Sequence, residues 1–139
     1  MSLVNGKVYF MRTDKELIEK AREAANHAHI PYFDFPVGAV VETLDEKLFE
    51  GCNIDNASTS LGLCAERVAI FNAVSKGHKD IKRIAVTCIK GIPEKPETMM
   101  PCGACRQVMS EFMDPDAEII VDHVGTFKLK DLLAKPFSL

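Results

Sequence analysis

Tryptophan is absent from this chain of 139 residues, tyrosine occurs twice, and histidine four times. A basic excess is missing too: 17 Lys and Arg stand against 20 Asp and Glu, for a net charge of −3. With no Lys/Arg cluster, the chain has neither the basic groove nor the aromatic platforms that hold a polynucleotide, so nucleic acid is not an expected partner. No apolar run approaches the roughly 20 residues that span a bilayer. The chain does not open on a basic segment followed by an apolar one, and neither export nor membrane attachment is expected. Five cysteines make an odd number, which does not suit a disulfide framework. Thiols or metal ligands in a reducing compartment, the cytoplasm, are expected instead.

What is present is ordinary for a globular protein: 47% hydrophobic and 27% charged residues. One domain is expected over residues 1–139, with residues 1–12 partly flexible; a chain of this length buries about two thirds of its unfolded surface. Thr13 followed by Glu16 reads as a capping box, and Leu17, Ile18, Ala21, Ala24, Ala25 and Ala28 then share a helical face up to Pro31. This places His27 and His29 at the helix end, where an imidazolium suits the dipole. "VGAVVET" and "KLFEGCN" flank "LDE" as an antiparallel hairpin. "CAERVAIFNAVSKG" reads as a helix stopped by Gly77, "RIAVTCI" as a buried strand, and "KGIPEKPETMM" as a loop. "CGACRQVMSEFM" reads as another helix, "AEIIVDH" and "TFKLK" as strands, and "LKDLLA" as a short last helix. Strands interleaved with helices predict layered α/β structure.

Cys102 and Cys105, in "PCGACRQ", are spaced C-x-x-C, which serves redox pairs, structural zinc sites and catalytic zinc sites alike. A structural site wants a fourth ligand, and the spare candidates are poorly placed: Cys52 ends a strand pattern, Cys88 lies within one, and His78 and His123 belong to no ligand-spaced pair. Cys52 and Cys88 read as small buried apolar groups. "LGLCAERVAI" adds Cys64 at a second predicted helix start, with Glu66 two residues on and Arg67 next to it. Helix starts favour thiolates. Three thiolates without a fourth protein ligand describe an open zinc site. Three thiolates leave a dication formally negative, and Arg67 is the cation placed to offset this by hydrogen bonding to ligand sulfur.

The C-x-E … P-C-x-x-C pattern resembles the zinc deaminases in their three-cysteine form. "PYFDFPVGA", "NIDNASTSLGLCAER", "PCGACRQVMSEF" and "LKDLLAKPF", in that order over nearly the whole chain, resemble the short, homotetrameric class of the cytidine deaminase family. The resemblance implies a three-layer α-β-α sandwich around a mixed five-stranded sheet, with one zinc per chain and active sites at subunit interfaces. It implies that Cys64, Cys102 and Cys105 hold zinc and that Glu66 is the general acid and base. It further implies that the Ala65 amide binds the pyrimidine carbonyl, Phe35 packs on the base, Asn53 and Asp55 hold the sugar, and Phe137 closes a neighbouring subunit's site. The implied reaction is hydrolytic deamination of cytidine or deoxycytidine to uridine or deoxyuridine with release of ammonia, in pyrimidine salvage.

Three positions depart from the family's usual pattern. Asp55 stands where Glu is usual, Thr59 where an aromatic is common, and Phe33 where a small polar residue is usual. All three fall on the sugar side of the implied site. They motivate an alternative substrate, another cytosine-bearing nucleoside such as blasticidin S. A zinc-stabilised binding module without catalysis is the non-enzymatic alternative.

Overall fold

The computed structural model describes residues 2–4, 6–9 and 11–139. β1 (Ser2–Val4) and β2 (Lys7–Tyr9) form an antiparallel pair apart from the main sheet. The flexibility expected of residues 1–12 falls partly on Met1, Asn5 and Phe10, which lie outside the described residues.

Helix α1 (Asp14–Ala25) opens on the expected capping box: the Glu16 amide donates to Thr13 Oγ1, and the Thr13 amide donates to the Glu16 carboxylate. It ends earlier than its apolar periodicity suggests. The amides of His27 and Ala28 donate to carbonyls only three residues back, which tightens the last turn and closes the helix at Asn26. His27 and His29 therefore lie beyond the helix rather than at its end, and the His29 backbone bonds to Asn53 and Asp55 instead.

β3 (Val37–Thr43) and β4 (Leu48–Cys52) form the expected hairpin. With β5 (Ile81–Cys88), β6 (Met113–Val121) and β7 (Gly125–Lys128) they make one mixed sheet in the order β4-β3-β5-β6-β7, parallel only between β5 and β6. β6 starts four residues before the expected "AEIIVDH", directly after the third helix. Ile81 pairs with Met113 and Arg83 with Glu118, so the exposed residues around Pro115 bulge out between them. "TFKLK" breaks at Lys128, because Leu129 turns into the core as the first residue of α4 (Leu129–Leu132).

Side chains alternate across the sheet as a period of two requires. Val40, Ala85 and Ile120 meet Leu17 and Ala21 of α1 on one face. Ala39, Val41, Ile84, Val86, Ile119 and Val121 meet α2 (Ala65–Ser75), α3 (Gly103–Phe112) and α4 on the other. This is the three-layer α-β-α sandwich that the family resemblance implies. Two glycines set the layer spacing. A Cβ on Gly38 would lie 1.9 Å from the Ala21 carbonyl oxygen, and one on Gly51 would lie 2.3 Å from the Ala69 nitrogen. α1 and α2 thus rest backbone-to-backbone on the sheet. β4 leads into α2 and β5 into α3, and both helices start beside the C-terminal ends of those strands, where open α/β sheets keep their ligand sites.

Candidate active site

Cys64 is the N-cap of α2 and Cys102 the N-cap of α3, each with extended backbone angles. An N-cap side chain ordinarily accepts a bond from its helix's first turn. Neither cysteine does so, and their sulfurs are left to face one another. Cys64 Sγ lies 3.8 Å from Cys102 Sγ, which lies 3.6 Å from Cys105 Sγ. All three sulfurs fall within 4.8 Å of one another, the sole such group of candidate metal ligands among the described residues.

The geometry can be tested against zinc. Thiolates about 2.3 Å from a tetrahedral centre stand about 3.8 Å apart, and the separations of 3.8 and 3.6 Å lie at or just below that value. The donors are soft sulfurs, which select zinc over the oxygen-seeking cations. Arg67 Nη2 donates to Cys64 Sγ at 3.4 Å. Arg67 Nε is the one buried side-chain nitrogen or oxygen among the described residues that finds no partner. A guanidinium held against sulfur is what a trio of thiolates needs. The group fits: these three cysteines form a cluster able to hold a zinc ion.

The electrostatics agree with a site made for thiolates. Hydrogen bonding from Cys105, then from Arg67, holds the Cys64 thiol down to about 5, against the opposing effect of burial. The same hydrogen bond pushes the Cys105 thiol up, so the free cluster keeps a proton there that metal binding releases. The thiolates in turn hold the Arg67 guanidinium above its ordinary range. Glu66 is 5% exposed, and burial pushes its carboxyl up to about 7. A carboxyl that titrates near neutrality can both take and return a proton.

Cys64, Cys102 and Glu66 open into a cleft of about 300 Å³. Phe35, Asn53, Asp55, Ala65 and Glu66 all line it, so five of the residues expected to act on substrate share one cavity with Cys64 and Cys102. A larger hollow of about 540 Å³ lies at the start of β5, beside the β6 bulge, and holds none of the cysteines. Size is a poorer guide here than chemistry. Asn53 is committed to the backbone: its amide nitrogen donates to the Phe35 carbonyl at 2.8 Å, and its amide oxygen accepts from the Val37 amide at 2.9 Å. Asp55 Oδ2 accepts from the Phe33 amide at 3.3 Å. Phe137 is not brought into this cleft; it is 71% exposed, and its carbonyl accepts from Gln107 Nε2 at 3.0 Å.

Sequence reasoning misses one wall. Cys88, read as a buried apolar group, is half-buried and lines the cleft with Thr98, Met99 and Met100. Its thiol faces the Met99 carbonyl oxygen at 3.8 Å, and burial pushes it up to about 12, so it is an inert neutral surface. Cys52 is likewise half-buried, away from the cleft. The loop 89–101 brings the methionines here by folding back against the end of β5, with Met99 buried over Gly91. Alternation in the strand could have placed Cys88 on the face of α2, but nothing in the loop's composition points to its fold.

Residues 11–121 match the model of the cytidine and deoxycytidylate deaminase zinc-binding region. Cytidine deaminase of Sporosarcina psychrophila is 42% identical over 98 residues, covering 70% of this chain and 68% of that protein. Cytidine deaminase of Mycobacterium tuberculosis is 38% identical over 120 residues, covering 86% and 85%. Among solved structures, cytidine deaminase from Burkholderia pseudomallei superposes with a TM-score of 0.81 at 39% identity, over 91% of this chain and all of that one.

Proposed function

Because the chain belongs to the cytidine and deoxycytidylate deaminase family, we propose that it hydrolyses cytidine and deoxycytidine to uridine and deoxyuridine, releasing ammonia. The carrying observation is Glu66, a buried carboxyl held near neutrality in a ligand-sized cleft beside three clustered thiols. Cys64, Cys102 and Cys105 would hold one zinc per chain. When bound, that ion supplies a Lewis acid that makes water nucleophilic near neutral pH.

Glu66 takes a proton from the water that attacks C4 and delivers it to N3 of the ring. It then carries the second water proton to the amino nitrogen, the C4–N bond breaks, and ammonia leaves. One water is consumed, and the ring keeps a C4 carbonyl and an N3–H. Arg67 offsets the thiolates' charge. Ala65 is the first helical residue of α2, so its amide has no partner within the helix and is free to donate to the pyrimidine carbonyl. Phe35 packs on the base, and Asn53 and Asp55 face the sugar.

The charge of the cleft favours a nucleoside over a nucleotide. Among the described residues it is lined by two carboxyl groups, Asp55 and Glu66, and three cysteines, and by no lysine or arginine. A 5′-phosphate would find no cation there. The same reading carries an assembly of four copies in the cytoplasm, each site completed by Phe137 of a neighbour; the exposure of Phe137 here supports it. Among the described residues, no helix is long and apolar enough to cross a membrane.

Ammonia release from the zinc-loaded protein, offered cytidine, deoxycytidine, deoxycytidine 5′-monophosphate and blasticidin S, tests the proposal. Turnover of the first two at rates far above the others is expected. Turnover confined to the nucleotide or to blasticidin S, or none at all with zinc in place, overturns it.

A further inference from the structure

Two arginines stand in the first turns of the two helices that open on the metal centre, Arg67 in α2 and Arg106 in α3. A cation near a helix N-terminus opposes the helix dipole, so each placement costs stability unless something local holds it. Arg67 is held by sulfur. Arg106 touches no sulfur: its Nε donates to the Pro101 carbonyl at 2.8 Å, and its Nη1 donates to the Leu132 carbonyl at 2.9 Å. Pro101 is fully buried, so its carbonyl needs an internal partner. Leu132 ends α4, where carbonyls lack helical partners. Only a guanidinium has the rigid fork to serve both.

We infer that Arg106 is a positioning residue for the metal centre, clamping the turn that presents Cys102 to the C-terminal helix α4. Cys102 follows Pro101 directly, and Cys105 precedes Arg106, so the clamp closes a short loop around two of the three ligands. The other side of that turn runs into the buried Met99, whose amide donates to the Pro96 carbonyl at 3.0 Å and whose carbonyl faces the Cys88 thiol at 3.8 Å. Cys102 is itself exposed and makes no capping bond. Its placement therefore depends on the backbone that carries it, and that backbone is fastened by Arg106. The neighbouring Gln107 holds the Phe137 carbonyl in the same way, so α3 carries the C-terminal segment on two consecutive side chains. The inference rests on the assignment of Cys64, Cys102 and Cys105 as the ligands.

The test is metal affinity and metal spectrum, measured on the full chain. Arg106→Met should weaken zinc about 10–100-fold in competition with a chelator, the range for groups that orient metal ligands. Its cobalt-substituted form should show an altered thiolate-to-metal absorption, and kcat should fall more than KM rises. Arg106→Lys keeps the charge and can reach one carbonyl only, so it should fold and fall between; it decides the matter if Arg106→Met does not fold. Arg22→Met is the control: it breaks another two-pronged guanidinium contact, from a half-exposed arginine to the buried carboxylate of Asp122 at 2.8 and 2.9 Å, away from the cluster. It should lower stability and leave zinc affinity unchanged. Folded Arg106 variants with wild-type zinc affinity and cobalt spectrum overturn the inference, as does an equal loss of affinity in Arg22→Met. A wild-type protein whose cobalt form shows no thiolate absorption overturns the ligand assignment and the inference with it.

Discussion

The two ends of the cleft are built in opposite ways. At the metal end, the functional atoms are spared from building the fold: two N-cap sulfurs decline to cap their helices, and Glu66 is buried in the first turn of α2 beside them. At the rim, the polar side chains are already engaged. Asn53 braces the backbone of Phe35 and Val37 with both ends of its amide, and Asp55 accepts from the Phe33 amide. The first arrangement leaves residues free for chemistry and fixes them by helix position. The second spends residues on shaping the loop that would meet the sugar. Substitutions at the metal end should therefore act on rate with the fold intact, and those at the rim should act on binding and stability together.

The sharpest way to break this contrast is Glu66→Gln. Glutamine keeps the volume, the helix and a hydrogen-bonding end, so folding and zinc content should stay at wild-type levels. It cannot take or return a proton, and loss of a positioned acid and base costs on the order of 10²–10⁴ in rate. Because one carboxyl serves several transfers here, the loss of kcat for cytidine should reach the upper end of that range or exceed it, with KM changed far less. Near-normal turnover with zinc bound would refute the mechanism.

Arg67→Gln comes next. It removes the bond to Cys64 Sγ and a charge that, after the hydrogen bond from Cys105, helps hold that thiol low. Zinc should remain, at an affinity or turnover reduced about 10–100-fold. The pH–rate profile should move to higher pH, because uncompensated thiolates leave the metal a weaker acid toward its water. Full activity with an unmoved profile would show that the sulfurs need no compensating cation.

The same division explains how far the sequence could be read. The metal end was legible because its geometry is local. A cysteine before a helix, a glutamate two residues on, and a second helix opening on C-x-x-C each report their own position, and convergence follows from the α/β layering. The hairpin and the alternation of β5 were legible for the same reason. The rim was not. Asn53 braces residues 16 and 18 positions away, and Asp55 reaches one 22 away. No periodicity carries such pairings. The methionine wall and the Arg106 clamp were hidden similarly, by a loop that returns on itself and by a carbonyl of α4, 26 residues from the arginine. The end of α1 was overrun because apolar spacing continues to Ala28, whereas the helix ends when its last amides turn to nearer carbonyls.

Asn53→Ala tests the rim directly. It orphans the Phe35 carbonyl and the Val37 amide, and unsatisfied partly buried groups cost about 1–3 kcal/mol. The urea midpoint should drop accordingly, and KM for cytidine should rise with the loosened rim while kcat changes less. Asn53→Asp keeps the acceptor for Val37 and loses the donor to Phe35, so it should fall between. An Asn53→Ala protein of wild-type stability and raised KM would mean that Asn53 serves the ligand alone.

The smallest effect is expected from Asp55→Glu, which separates the rim from the chemistry. Glutamate is the residue usual here in the family, and one further methylene carries the carboxylate deeper into the cleft. The bond from the Phe33 amide, already long at 3.3 Å, is the local interaction at risk, and its loss from a partly exposed site should change stability by no more than about 0.5 kcal/mol. A hydroxyl-binding carboxylate moved by one carbon should alter KM by less than about tenfold, which corresponds to 1.4 kcal/mol. The useful readout is the ratio of KM for cytidine to KM for deoxycytidine, since only a group near the ribose can move the two apart. That ratio should shift while kcat for both stays within about twofold, because the carboxylate at this position makes no contact that exists only in the transition state. If instead kcat falls toward the level of Glu66→Gln, the two ends of the cleft are not independent, and Asp55 belongs with the proton chemistry.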